Sequence, residues 1–241
     1  MISLHKLDDL VATILSTPRP IILIDACVHL DFLNKALDPQ SPYGLKRILE
    51  MIDAGTLYIV APEVIPDEFA RNIATVMDRA NRALDRVFEE VEGIRAHLEA
   101  FAALDKNDMP PSYLTARTVA RSVDIIAAKV QGLIDSSSVF ELTPEIKLRA
   151  HERQLRGARP AKRGKDSSGD CSIHEGLLEL ARKLRSGGFK ERIVFVSSNV
   201  DDFGGEDALQ RRVLHPDLQL EFDPLKIEFF SNINHAASTF P

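Results

Sequence analysis

The segment Pro20-Ile-Ile-Leu-Ile24, broken off by Asp25, constrains the fold more than any other part of the chain. Four aliphatic residues in a row, three of them β-branched, show no polar alternation. A strand of this kind is covered on both faces, as strands of parallel sheets are. Leu57-Tyr-Ile-Val60 and Ile193-Val-Phe-Val196 are runs of the same type. Between the first two lies a helical pattern over 45–54 (Leu45, Ile48, Leu49, Ile52), closed by Gly55 where a left-handed cap is expected. A strand, a helix and a strand in this order make a unit whose strands run parallel.

The remaining segments extend the pattern. After Pro62, apolar residues keep helical spacing from Phe69 through Ile73, Val76, Ala80, Ala83, Val87, Val91, Ile94, Leu98 and Phe101, with Pro66 suited to a first helical position. Asn107-Asp-Met-Pro-Pro111 breaks the run, and Ser112 is the expected cap of a second helix through Val119, Val123, Ile126, Val130 and Leu133. The two predict a helical hairpin over 79–138, inserted in one domain spanning 1–241, with an apolar spine used in its own packing. Thr143-Pro144 starts another helix. The stretch 157–170 reads as loop, and a periodic helix follows, with Ile173, Leu177, Leu180, Ala181 and Leu184 inward and Gly187-Gly188 at its end. Beyond the third strand, 218–222 shows weak alternation and 226–230 reads as a last strand. Strands alternating with helices predict an α/β fold with a central, mostly parallel sheet flanked by helices.

Composition narrows the class. The chain has 241 residues, enough for a sizeable core, and no fixed-period repeat. With 30 Lys and Arg against 36 Asp and Glu, the net charge is −6, so any nucleic-acid binding must use a local basic patch. Cys27 and Cys171 are too few for a disulfide framework or a four-thiolate zinc site and suit a reducing cytosol. The acidic start lacks the basic and apolar regions of a secretion signal, and no run approaches the ~18 apolar residues of a membrane helix. A cytoplasmic protein is expected. Phosphate-cradling Gly-x-x-x-x-Gly-Lys-Ser/Thr, dinucleotide-binding Gly-x-Gly-x-x-Gly, the paired histidines of zinc proteases and the Gly-x-Ser-x-Gly elbow are all missing.

Acids, by contrast, stand at strand exits and helix starts. Asp25 ends the first strand, Glu68 lies in the opening turn after the second, Asp170 opens a helix, and Asp201-Asp202 follow the third strand. In a parallel sheet these places share the carboxyl-terminal edge, where such folds bind ligands. Crowded carboxylates raise one another's pKa unless a cation neutralises them, and hard oxygen donors favour Mg²⁺ or Mn²⁺. Metal-assisted phosphodiester cleavage is the chemistry such a pocket serves, with one or two ions. Singly, Asp170 and Glu68 also read as acids complementing a helix N-terminus, and Asp201-Asp202 as a turn. Asp25 is harder to explain structurally, since a charge directly after a buried strand is costly without a partner.

Four segments also resemble a known family. Ile24-Asp-Ala-Cys-Val-His-Leu-Asp-Phe-Leu33 looks like the opening strand of the PIN-domain nucleases, and Pro62-Glu-Val-Ile-Pro-Asp-Glu-Phe-Ala-Arg-Asn72 is similar to their second motif, with Glu68 at the acidic position. Lys165-Asp-Ser-Ser-Gly-Asp-Cys-Ser-Ile-His-Glu-Gly-Leu-Leu178 matches the third at Asp170, and Phe195-Val-Ser-Ser-Asn-Val-Asp-Asp-Phe203 the last. The motifs stand in family order. The resemblance implies a Mg²⁺- or Mn²⁺-dependent ribonuclease acting on RNA, with Asp25, Glu68, Asp170 and Asp202 catalytic and Asn199 or Asp202 completing the metal set. Asn199 stands where many members carry Asp. The chain is longer than a minimal toxin of this family and looks more like larger members with a Gly-Asp-x-x-Ile-x-Glu third motif, in which Glu175 is placed to approach the metal.

Lys147, Arg149, Arg153, Arg156, Arg159, Lys162, Arg163 and Lys165 form a basic strip leading to Asp170. It reads either as a phosphate-binding surface or as a solvated helix face. Lys165, Arg163, Lys162 and Ser197 are the substrate-binding candidates. His29 and His174 read as packed histidines, with proton shuttling as the alternative. Two other functions are carried forward: a PIN-like module that binds RNA or protein without cutting, and a phosphatase or phospho-acceptor using Asp25, for which Ala26 and Val28 supply no second acid. Self-pairing through the long helices and an inhibitory protein partner stay open.

Overall fold

A computed structural model describes residues 4–35, 41–102, 116–162, 164–206 and 212–241. The elements, in chain order, are β1 (Leu4–His5), α1 (Leu7–Ser16), β2 (Ile21–Ile24), α2 (Ala26–Asn34), α3 (Ser41–Asp53), β3 (Tyr58–Pro62), α4 (Val64–Ala102), α5 (Ala116–Asp135), β4 (Ser138–Phe140), α6 (Pro144–Arg156), α7 (Ser168–Ser186), β5 (Ile193–Val196), β6 (Gly204–Glu206), β7 (Arg212–Leu214), α8 (Pro216–Phe222), β8 (Ile227–Phe230) and α9 (Ile233–Ser238). Six strands form one sheet in the order β1-β4-β3-β2-β5-β8, every pair parallel. The expected α/β architecture is therefore present, with a small antiparallel ribbon of β6 and β7 beside it.

The uninterrupted apolar runs have the cause inferred from sequence. Ile21 and Leu23 of β2 and Ile193 and Phe195 of β5 point into one core layer with α1 and α7, while Ile22, Ile24, Val194 and Val196 point into the other with α2, α3, α4 and α9. Both faces are roofed by helices, so neither position of the strand's two-residue repeat is polar.

Strand order fixes where a ligand can reach the sheet. From β2 the chain winds outward to β3 and β4, then crosses back to β5 on the opposite side of β2 and on to β8. The reversal falls between β2 and β5, and the carboxyl ends flanking such a reversal form a crevice. Ile24 and Val196 are register partners there, and the Asp25 amide donates to the Val196 carbonyl at 2.9 Å, so residue 25 and the turn after β5 start at the same height.

Several expectations need correction. Residues 218–222 are helical, not a strand: Pro216 sets the first turn, and Leu218 and Phe222, four residues apart, are the buried ones. Helix α4 begins at Val64, two residues before Pro66. The inner half of the helical pair is continuous with the core, since Val76, Ala80 and Leu84 of α4 meet Val123, Ala127, Val130 and Leu133 of α5 within the α2 and α3 layer. Farther out Val87, Val91 and Ile94 are exposed, so the apolar spine is not used throughout in internal packing. The Asn107–Pro111 break and the Ser112 cap lie outside the described residues. Thr143 caps α6 as expected, accepting from the Ile146 amide, and Gly157 closes it in the left-handed conformation. Among the described residues no helix is long and apolar enough to cross a membrane.

Helix α7, which carries Asp170, lies unusually close to the sheet at Gly176. A Cβ there would stand 2.9 Å from Leu142 Cδ2 and 3.5 Å from Pro62 Cβ. Gly176→Val is expected to force α7 outward and cost about 1–3 kcal/mol, an overpacking penalty readable as a lower urea midpoint at unchanged slope.

Candidate metal-binding active site

Asp25 is 2% exposed and sits at the cap position of α2, yet its side chain caps no amide. Its Oδ2 instead accepts from Ser197 Oγ at 2.6 Å and from Cys27 Sγ at 3.1 Å. Burial pushes its pKa up, and these two donors, with the nearby backbone amides of Ala26 and Cys27, oppose the rise. Glu68, in the second turn of α4, is raised by partial burial and then by the field of Asp25, against the pull of Arg71 and Lys165. The start of α7 comes close enough that a Cβ on Gly169 would lie 3.5 Å from Glu68 Oε2. Asp170, one residue on, is pushed up to about 7 by burial and by the fields of Asp25 and Asp202.

The turn after β5 completes the group. Asn199 Nδ2 donates to Asp170 Oδ1 at 3.2 Å and to Asp202 Oδ2 at 2.8 Å, and its backbone amide donates to Ser197 Oγ at 3.2 Å. Asp202 is fully buried and hydrogen-bonded to Lys165. Despite its burial, the Lys165 and Asn199 bonds and the nearby Lys162 hold its pKa below the usual carboxylate range. Its Oδ1 makes no hydrogen bond, although the Lys162 ammonium is 3.4 Å away. Asp201 is exposed and contributes its carbonyl, which accepts from Arg159 Nη1 at 2.7 Å.

The structure thus brings together Asp25, Glu68, Asp170, Asn199 and Asp202, with Lys162, Lys165 and Ser197 beside them. Other candidates are placed differently. Ser197 is wholly buried, with its hydroxyl between Asp25 and the Asn199 amide, so it positions the acid rather than facing a substrate. Arg163 lies outside the described residues. Glu175 is turned away from the acids: its carboxylate accepts from Arg149 Nε at 3.1 Å and Arg153 Nε at 2.7 Å. The basic strip is mostly consumed in such pairs, Lys147 with Glu63, Arg149 with Glu175 and Glu179, Arg153 with Glu175 and Glu221, and Arg156 with Glu152. Among the described residues of the strip, Lys162 and Lys165 are the ones paired with the acids.

Both histidines are core groups. Burial lowers the pKa of His29 to about 4, and its ring meets Phe69 edge-on. His174, also lowered by burial, is stacked on Phe222 and bonded through Nε2 to Glu221 at 2.6 Å. Two features were missed in the sequence reading. Cys27 donates to Asp25, for which its place two residues on is the sole sequence signal. Arg153 joins α6, α7 and α8 and also donates to the Arg159 carbonyl at 2.6 Å, bracing the loop that carries the lysines.

Among the described residues no three carboxylate, imidazole or thiol groups are already drawn up around one cation position. The donor chemistry nevertheless fits one. Asp25, Glu68 and Asp170 offer only oxygen, all three are raised in pKa by burial, Glu68 and Asp170 further by the field of Asp25, and Asp202 Oδ1 is a buried oxygen without a hydrogen bond. A hard divalent cation relieves that charge, and Mg²⁺ and Mn²⁺ suit such ligands.

An α/β sheet with acids gathered at its switch point defines a ligand-binding class in which the chemistry is carried by carboxylates. A family model described as PIN domain matches residues 22–203, from β2 to the start of β6, and takes in all the acids of the site. The chain belongs to the PIN domain family, whose members are generally nucleases and typically use divalent metals. No curated protein and no solved structure matches it.

The raised pKa of Asp170 has a sign that can be checked. Folding strengthens its proton affinity from 3.8 to about 7, so its contribution favours the native state at low pH and is lost as pH rises through that interval. In EDTA, Asp170→Asn is expected to melt at a higher temperature than the parent at pH 8, with the gap closing near pH 4. Mn²⁺ at pH 8 is expected to recover the difference for the parent.

Proposed function

We propose that this protein is a divalent-metal-dependent endoribonuclease that hydrolyses RNA phosphodiester bonds at the edge between β2 and β5. The observation that carries this reading is the meeting of Asp25, Glu68 and Asp170, from three distant segments, as carboxylates whose proton affinities are all raised in one half-buried place. Family membership supports nuclease chemistry, and the likeness of the four motifs to PIN ribonucleases supports RNA as substrate.

Asp25, Glu68 and Asp170 would hold Mg²⁺ or Mn²⁺, with Asp202 and Asn199 at the border of the set. When bound, such an ion polarises a phosphate and lowers the pKa of water. Ser197 and Cys27 both donate to Oδ2 of Asp25, which fixes the carboxylate's rotation. Asn199 spaces Asp170 from Asp202. Lys162 and Lys165 supply positive charge on the solvent side of the acids for the phosphates flanking the cut, an attraction that weakens with salt.

A fluorogenic RNA assay with and without EDTA, repeated on Asp25→Asn, tests the proposal. Cleavage is expected to vanish in EDTA and to fall at least about a hundredfold in the variant; full activity in either condition overturns it. Lys165→Ala is expected to weaken RNA binding and to reduce the slope of log affinity against log salt by about one. A second reading, an RNA-binding module that does not cut, is favoured by one observation: the carboxylate of Asp202 already faces two lysines. It calls for undiminished RNA retention in EDTA with no product formed.

A further inference from the structure

One strand over from Asp25, a cavity of about 130 Å³ lies between helix α2 and the exits of β5 and β8. Ser198 reaches it from the end of β5 and Ser231 from the end of β8. A single thiol joins it to the acidic edge: Ser198 Oγ donates to Cys27 Sγ at 3.3 Å, and Cys27 Sγ donates to Asp25 Oδ2 at 3.1 Å. Its apolar lining is buried, with Val28 and Phe32 from α2 and Ile233 from α9. Its charged lining cancels, since Asp31 and Lys35 pair with each other at 2.8 Å. Such a space holds about four waters at ~30 Å³ each, or one flat ring.

The polar groups around it have hydrogen-bonding capacity that the fold does not use. Asn232 Oδ1 accepts from the Asn234 amide at 2.8 Å and the His235 amide at 3.4 Å, which fixes the rotation of its side-chain amide. Its Nδ2 has no partner among the described residues and is left as a donor of set direction. Ser198 gives its proton to Cys27 and keeps its lone pairs as acceptors. The Ser231 hydroxyl is also without a partner among the described residues. A phosphate would meet no unpaired cation in this lining, and a metal ion no unpaired carboxylate. A neutral ring whose edge carries a donor beside an acceptor suits it, and every nucleobase has such an edge.

We propose that this cavity takes one base of the RNA, turned out of the strand next to the phosphate that is cut. Asn232 and the two serines then read the base edge, and Val28, Phe32 and Ile233 cover its faces. The substrate is single-stranded at that nucleotide, because a base stacked and paired in a duplex cannot enter a separate hole. This inference rests on the ribonuclease reading above, yet base binding is measured without cleavage.

Uridine, cytidine, adenosine, guanosine and, as control, ribose are titrated into the ¹⁵N-labelled full chain in EDTA. The signals followed are the Asn232 side-chain amide and the backbone amides of Ser198, Ser231 and Ile233. At least one nucleoside is expected to shift them saturably, and ribose to leave them in place. Asn232→Asp keeps the oxygen that accepts from the two amides but removes the Nδ2 donor, and Ser231→Trp fills the cavity from its rim. Each is expected to weaken that nucleoside at least about fivefold, with spectra otherwise matching the parent's. No nucleoside response at these signals, an equal response to ribose, or unchanged affinity in the folded variants overturns the inference. A parent that binds a nucleoside there but cleaves no RNA overturns the ribonuclease reading and leaves the base site standing.

Discussion

The burial of carboxylates beside one another at a single sheet edge is the constraint around which this site is organised. Parallel strands deliver Asp25 and the turn after β5 to the same height, and two helices begin beside them with Glu68 and Asp170. Nothing in core packing calls for four acids there. The burial of Asp25, Glu68 and Asp170 opposes folding at neutral pH, and the rest of the structure holds them in place: two buried core layers, an all-parallel register, and a braced loop whose lysines balance Asp202. A functional site commonly departs from local stability rules in this way and relies on the scaffold around it.

The bracing has a definite route. Arg153 is nearly enclosed and reaches Glu175 on α7, Glu221 on α8 and the Arg159 carbonyl, and Arg159 in turn donates to the Asp201 carbonyl. Glu221, also bonded to His174, has its pKa drawn down to about 2 in spite of partial burial. The guanidinium groups that seemed a phosphate-binding strip are thus largely internal ties. Losing Arg153 would leave Glu175, 4% exposed, without one of its two guanidinium partners, the kind of change that costs more than the pair itself contributes.

The sheet's centre and the acidic edge could be read from the chain because both rest on local, strongly patterned signals: uninterrupted aliphatic strands, and acids placed immediately after them. The edges could not. β1 and β4 have two and three residues, too short for any period, and their pairing depends on partners far away in sequence. At 218–222, Leu218 and Phe222 satisfy both a strand-like alternation and a helical four-residue step, and Pro216 decides for the helix. Side-chain partnership was equally hidden. Arg149 and Arg153 look like solvated charges until α7 supplies Glu175, and Ser197 looks like a substrate contact until β2 supplies Asp25. Spacing shows which residues reach the same edge, whereas orientation is settled only once the neighbouring strand is in place.

Helix α4 donates Glu68 near its beginning and core side chains as far as Leu84, and then runs on to Ala102 with Val87, Val91 and Ile94 open to solvent. Chemistry and outward reach are therefore separated along a single rod. Lengthening or shortening its outer turns, with matching change in α5, would alter the molecule's span and the surroundings it touches while leaving the acids undisturbed. The outer half of the rod thus sets how far the molecule extends, independently of the acidic edge at its root.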